Sequence, residues 1–175
     1  MNVSESRIIS IRQPWTEAIL DGFKTIENRS RGFQRSYVGW LWIHASKEWV
    51  TGPFWFNPLL LHAAWPPDSL KGQVIRDGIP GMESPELFVT GAVVGLAWTP
   101  GAHHAEPGCC ATPWAEEEYV DNHGKRRTDL VHLELERVHR LREPIYTNGG
   151  LGLRRPQDPE LIAELRAAAD ELGAT

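Results

Sequence analysis

Apolar and polar positions along this chain fall into short blocks whose period changes repeatedly. Residues 8–11 are a β-branched run that predicts a buried strand, ending at the polar pair Arg12 and Gln13. Pro14 suits the first position of a helix, where its missing N–H costs nothing. Trp15, Ala18 and Ile19 then recur at helical spacing until Gly22 supplies a stop. Residues 24–29 read as a second strand, with Thr25, Glu27 and Arg29 on one face and Lys24, Ile26 and Asn28 on the other. In the next strand-like stretch, Leu41 and Ile43 share a core face, and Trp40, Trp42 and His44 share the opposite one.

Further along, residues 88–98 and 130–142 are strand-like. Between the third strand and this part of the chain, residues 49–87 are rich in Pro and Trp, with a short helix predicted over 58–64; this reads as an irregular excursion covering one end of the fold. Asn122, His123 and Gly124 mark a hairpin tip between 117–120 and 128–135. A helix over 158–172 is well delimited, with Asp158 as N-cap, Pro159 at the first position, Gly173 past the end, and Leu161, Ile162, Leu165 and Leu172 along one stripe. At 175 residues and 41% hydrophobic content, the chain predicts a single α+β domain spanning 1–175 with its own core.

The polar residues of the first quarter of the chain are spaced as a site. Ser10, Gln13, Pro14 and Trp15 give S-x-x-Q-P-W, and Gly22, Lys24, Glu27 and Arg29 give G-x-K-x-x-E-x-R. Gly39, Leu41, Ile43, His44, Ala45, Ser46 and Lys47 follow as G-x-L-x-I-H-A-S-K. Arg12, Gln13 and Lys24 fall at element ends, which tend to converge on clefts. This segment resembles the ASCH domain, the activating-signal-cointegrator homology family, and residues 144–153 resemble that family's closing P-I…G-x-x-G stretch more loosely.

The resemblance implies a PUA-like β-barrel with flanking helices and a role in RNA or modified-base recognition. Some members resemble nucleic-acid-binding modules and some have been assigned ribonuclease activity. A bacterial branch is an amidohydrolase on N4-acetylated cytidine, with lysine at the position of Lys24 and a nucleophilic threonine at that of Glu27. This chain departs there, because a carboxylate attacking the same acyl group gives an anhydride and not an ester. Thr25 lies roughly 6 to 7 Å along the strand, too far to substitute.

Charge favours binding as the leading expectation. The formal net charge of -5 argues against a whole-surface polyanion binder, yet residues 1–47 hold seven Lys or Arg against four acids. The expected function is therefore sequence-independent, salt-steep contact with the phosphate backbone of DNA or RNA through a basic cleft. Arg12, Lys24 and Arg29 are the expected phosphate contacts, Gln13, Trp15, Ser46 and Lys47 line the cleft, and Lys125, Arg126 and Arg127 extend it from the hairpin. Two alternatives stay open: a hydrolase of RNA or a nucleoside using Lys24 and Glu27 as catalytic candidates, and a modified-base reader in which a Trp-lined cleft holds one flipped-out nucleotide.

Other constellations point to bland roles. His103, His104, Cys109 and Cys110 carry metal-ligand chemistry, but adjacent pairs lack C-x-x-C spacing, so no metal and no cofactor are expected. Gly149, Gly150 and Gly152 read as a turn, and Glu116, Glu117 and Glu118 as a solvated face. With two cysteines, a polar start and no apolar run near ~20 residues, a cytoplasmic monomer without a membrane span is expected.

Overall fold

The structure, a computed structural model, describes residues 1–30, 32–50, 64–76, 87–120 and 125–174. Strand β1 (Arg7–Gln13) leads into the short helix α1 (Trp15–Leu20), then β2 (Ile26–Ser30) and the long β3 (Gly39–Trp49). Helix α2 (Leu70–Arg76) precedes β4 (Ala92–Thr99), β5 (Ala102–His104), β6 (Tyr119–Val120), β7 (Arg126–Arg127) and β8 (Leu130–Glu134). β9 (Glu136–Tyr146), β10 (Leu153–Arg154) and α3 (Pro159–Glu171) complete the described elements. The helix expected over 58–64 lies outside the described residues apart from Ala64.

Five strands form one sheet in the order β10-β1-β3-β4-β9, with β1 parallel to β3 and the other pairings antiparallel. Three more form a second sheet, β2-β8-β5, antiparallel throughout. The expected barrel is not formed, since among the described residues the two sheets do not join. Closure needs every edge strand to find a partner. Among the described residues β10 contributes only two residues at one edge, and β9 pairs with β4 alone at the other. The run expected as one strand over 130–142 is instead cut at Leu135, and Arg137 adopts a left-handed φ of 46°. β8 thereby stays in the middle of the small sheet and β9 begins at the edge of the large one.

Between the sheets lies a core of Ile9, Ile11, Leu41, Ile43 and Val94 from the large sheet with Leu133 from the small one and Leu135 from the break between β8 and β9. The opposite face of the large sheet carries Ile8, Trp42, Val93 and Leu96, and α3 covers it with Leu165 and Ala169. Being buried on both faces, the central strands lose the alternation that a half-exposed strand shows. Trp42 is therefore core as well, on the face opposite Leu41 and Ile43, fully buried with its indole donating to Ser6 Oγ at 3.0 Å. The terminal helix forms as its pattern predicts: the Asp158 carboxylate accepts from Glu160 N at 2.9 Å and Leu165 is fully buried. No helix among the described residues is long and apolar enough to cross a membrane.

Helix α1 is locked by charge. Glu17, 4% exposed, receives Lys71 of α2 at 2.8 Å and Arg140 of β9 at 2.7 Å. The same two cations reach Asp21, at 2.6 Å and 2.7 Å. Two carboxylates one helical turn apart thus hold three elements together around the start of the site.

Candidate functional site

The motif residues converge on a cleft of about 680 Å³. Its floor is set by β2, where strand alternation turns Glu27 and Arg29 to one side, toward β1 and β3. Arg29 donates to the Ser10 carbonyl at 2.7 Å and lies 3.3 Å from the Glu27 carboxylate through Nε. That Nε makes no well-aligned hydrogen bond, so the contact is electrostatic. Lys24 precedes the strand, so the alternation that placed it on the opposite face from Glu27 does not apply. Its ammonium folds back to donate to the Ile26 carbonyl and lies 3.4 Å from Glu27.

The Lys24–Glu27 pair of this cluster is buried. The Lys24 and Glu27 side chains are 4% and 9% exposed. Burial holds the Lys24 ammonium below the ordinary lysine value, opposed by attraction to Glu27 and then Glu116. Above it stands Trp15, whose ring centroid is 5.9 Å from Lys24 Nζ and 5.8 Å from the edge-on ring of Trp114. Asn28 brings in that second wall, donating to the Trp114 carbonyl at 2.9 Å and accepting from Glu116 N at 3.2 Å. Glu116 stands at the rim, partly in water, and the wall still desolvates its carboxyl enough to raise it above the usual value. Lys24 opposes that shift and Glu27 adds to it.

The far wall is β3 and the glycine turn. His44 is 1% exposed; its Nε2 donates to the Thr147 carbonyl at 3.1 Å, which leaves Nδ1 as a buried acceptor without a partner. Burial holds this imidazole below the ordinary histidine value, so it is neutral at pH 7. Gly149 lies so close that a Cβ there would sit 2.7 Å from His44 Cε1, and Gly150 N donates to Ser10 Oγ at 3.0 Å. The glycines read as a turn are part of the cleft wall.

Of the expected site residues, Arg12, Trp15, Lys24, Arg29, Ser46 and Lys47 line this cleft together with Glu27. Gln13 does not: fully buried, it donates to the Val89 carbonyl at 2.9 Å and accepts from Glu17 N at 3.2 Å, a structural role. Nor do Lys125, Arg126 and Arg127 border the cleft. Arg126 pairs with Glu118 at 3.0 Å and Arg127 with Asp129 at 3.5 Å, while the hairpin tip over 121–124 lies outside the described residues. Among the described residues, four cations and three carboxylates line the cleft, and Arg12 is bound by Glu48 at 2.6 Å. The surface is thus close to balanced and not the basic groove that the charge count along residues 1–47 suggested. His44, Asn28, Trp114 and Glu116 belong to the site without having been expected there; only His44 held a named motif position, and Asn28 filled an unspecified one between Glu27 and Arg29.

Thr25 lines a different depression with His103, Cys109, Cys110 and Glu134. The expectation that the Cys and His residues lack ligand geometry needs correction: His103, Cys109, Cys110 and His132 bring their ligand atoms within 4.8 Å of one another. Spacing along the chain misses this, because His132 comes from another strand.

No protein-family model matches the sequence, and no curated protein matches it. Solved structures do. The ASCH protein of Zymomonas mobilis superposes with a TM-score of 0.51 at 14% identity, covering 94% of this chain and 95% of that one. A serine-to-alanine variant of the same protein gives 0.52 at 14% identity, covering 95% and 99%. The chain therefore has the ASCH fold, as the motif resemblance implied.

Proposed function

We propose that the protein is an RNA-binding domain that takes a single base, or one modified nucleotide, into the cleft and holds it without cleaving the chain. One observation carries this reading: Lys24 and Glu27 are buried beneath Trp15, at the bottom of a cleft whose volume lies in the range of small-ligand pockets, roughly 300 to 1,000 Å³. Ions so placed suit the polar edge of an inserted base better than the phosphates of a passing strand. A flipped base is held by stacking on apolar side chains and by hydrogen bonds to its edge. Trp15 offers the stacking surface, and Glu27 and Lys24 offer an acceptor and a donor.

A second reading has its own support. A lysine of lowered proton affinity 3.4 Å from a carboxylate is an acid–base pair, and it would serve a hydrolase acting on RNA or a nucleoside. The two readings separate by experiment. Tryptophan fluorescence is followed while mononucleotides, single-stranded RNA and duplex RNA are titrated. Quenching by mononucleotide and single strand is expected, with Trp15→Ala weakening both by roughly 5- to 150-fold, the worth of one stacked base. Unchanged RNA binding by Trp15→Ala, with no mononucleotide bound, restores the backbone-contact reading. Cytidine release from N4-acetylcytidine at about 1 to 10³ per second, abolished by Lys24→Ala and by Glu27→Ala, establishes the hydrolase instead.

A further inference from the structure

On the outer face of the small sheet, away from Glu27 and Arg29, one ladder row runs Asn28, His132, His103 across β2, β8 and β5. The two imidazoles stand opposite one another with ring centroids 5.4 Å apart. The segment between β5 and β6 then returns over this face and delivers two thiols to them. Cys109 Sγ lies 3.3 Å from His132 Nδ1, and Cys110 Sγ lies 3.3 Å from His103 Nε2 and 3.5 Å from His132 Nδ1. The sulfurs are 3.7 Å apart.

These thiol–thiol and thiol–imidazole separations are close to those of a coordination shell, and all four ligand atoms lie within 4.8 Å of one another. Zinc–sulfur bonds near 2.3 Å and zinc–nitrogen bonds near 2.0 to 2.1 Å give tetrahedral edges of roughly 3.8 Å between sulfurs and about 3.6 Å between sulfur and nitrogen. The sulfurs are far beyond the ~2.05 Å of a disulfide. Each imidazole also has its other nitrogen occupied by an oxygen. His132 Nε2 donates to the Glu116 carbonyl at 2.9 Å, and His103 Nδ1 lies 3.3 Å from the Glu134 carboxylate. Partners of that kind fix the tautomer that leaves the remaining nitrogen free for a metal.

We propose that His103, Cys109, Cys110 and His132 bind a single zinc ion in a closed tetrahedral site. Two thiolates and two imidazoles are the donor set of a structural zinc centre, and four protein ligands leave no open position for substrate. The ion pins the 105–116 segment to β8. Through the Glu116 carbonyl and the Asn28 clamp it also steadies the Trp114 wall of the cleft, so that metal and base recognition share a support.

The test uses the full chain purified under reducing conditions without chelator. A single zinc per chain by elemental analysis is expected, with a dissociation constant of tens of nanomolar or tighter. Cobalt in place of zinc should give the strong visible bands of a tetrahedral ion and near-ultraviolet sulfur-to-metal charge transfer. Cys109→Ser with Cys110→Ser should lose both metal and bands, and chelator should lower the Tm of the parent protein and not of the double variant. Four results each overturn the site: no zinc bound at that affinity, zinc retained by the double variant, a weak octahedral cobalt spectrum, or a Cys109–Cys110 disulfide in the freshly purified protein. The parent's metal content and cobalt spectrum decide the matter even if the double variant does not fold.

Discussion

Replacing Glu27 by Gln tests how the cleft floor is held. The change removes a carboxylate 3.4 Å from Lys24 and 3.3 Å from Arg29 while keeping its shape. Arg29, 23% exposed, can recruit water, but Lys24 at 4% cannot. At an effective dielectric of about 20, unit charges at that distance attract by about 5 kcal/mol. Removing one partner of a buried pair typically costs about 3 to 5 kcal/mol. Glu116 still attracts Lys24, so a loss of about 3 kcal/mol is expected, equivalent to a fall in Tm of roughly 6 to 12 °C at this chain length. Adding Lys24→Met should recover most of it, because the orphaned ion is then gone. The pH dependence follows in sign. Without Glu27 the folded-state proton affinity of Lys24 drops further below that of the unfolded chain, about 10.4, so the unfolded state binds more protons and stability rises with pH. The gap to the parent protein should therefore narrow as pH rises from 7 toward 10. Denaturant titrations of the parent, both single variants and the double variant supply all four values. A loss below about 1 kcal/mol, the size of an exposed pair, would refute the argument.

Gly149→Ala should destabilise by about 1 to 3 kcal/mol in thermal melts, since the new methyl meets His44 and Ser10, whereas Gly32→Ala, with open space around its Cβ, should be silent. By NMR, His44 should titrate below the ordinary histidine value. Because its folded value is depressed, the unfolded chain binds the extra proton first, and stability should fall as pH drops from about 6.5 toward the folded value; in His44→Gln that part of the pH dependence should vanish.

What could be read from the chain alone was local. The strand, helix and strand around Pro14 and Gly22 and the Asp158-capped helix are written in period and in caps, and both form near the expected bounds. Signals that depend on distant partners were silent or misleading. Gln13 looked like a cleft residue because it ends a strand, yet its amide is consumed by Val89 across 76 positions. Lys24 lies on the wrong parity for Glu27, and only the turn before β2 lets it reach back. The basic surplus of residues 1–47 stopped one residue short of Glu48, the partner of Arg12. Trp114 enters the site through Asn28, 86 positions away, and His132 completes the thiol cluster from 22 and 23 positions away. Nothing within a local window announces either.

The nearly balanced charge of the cleft sets how a ligand arrives as well as how it is held. Steered association requires a long-range field of one sign, and here, among the described residues, four cations are set against three carboxylates in a protein of formal net charge -5. An incoming polyanion gains nothing from a distance. Encounter should then proceed by unassisted diffusion, with association constants on the order of 10⁵ to 10⁶ M⁻¹s⁻¹ and little response to ionic strength. Discrimination between one base and another falls to the dissociation step: a well-matched base is recognised by how long it stays.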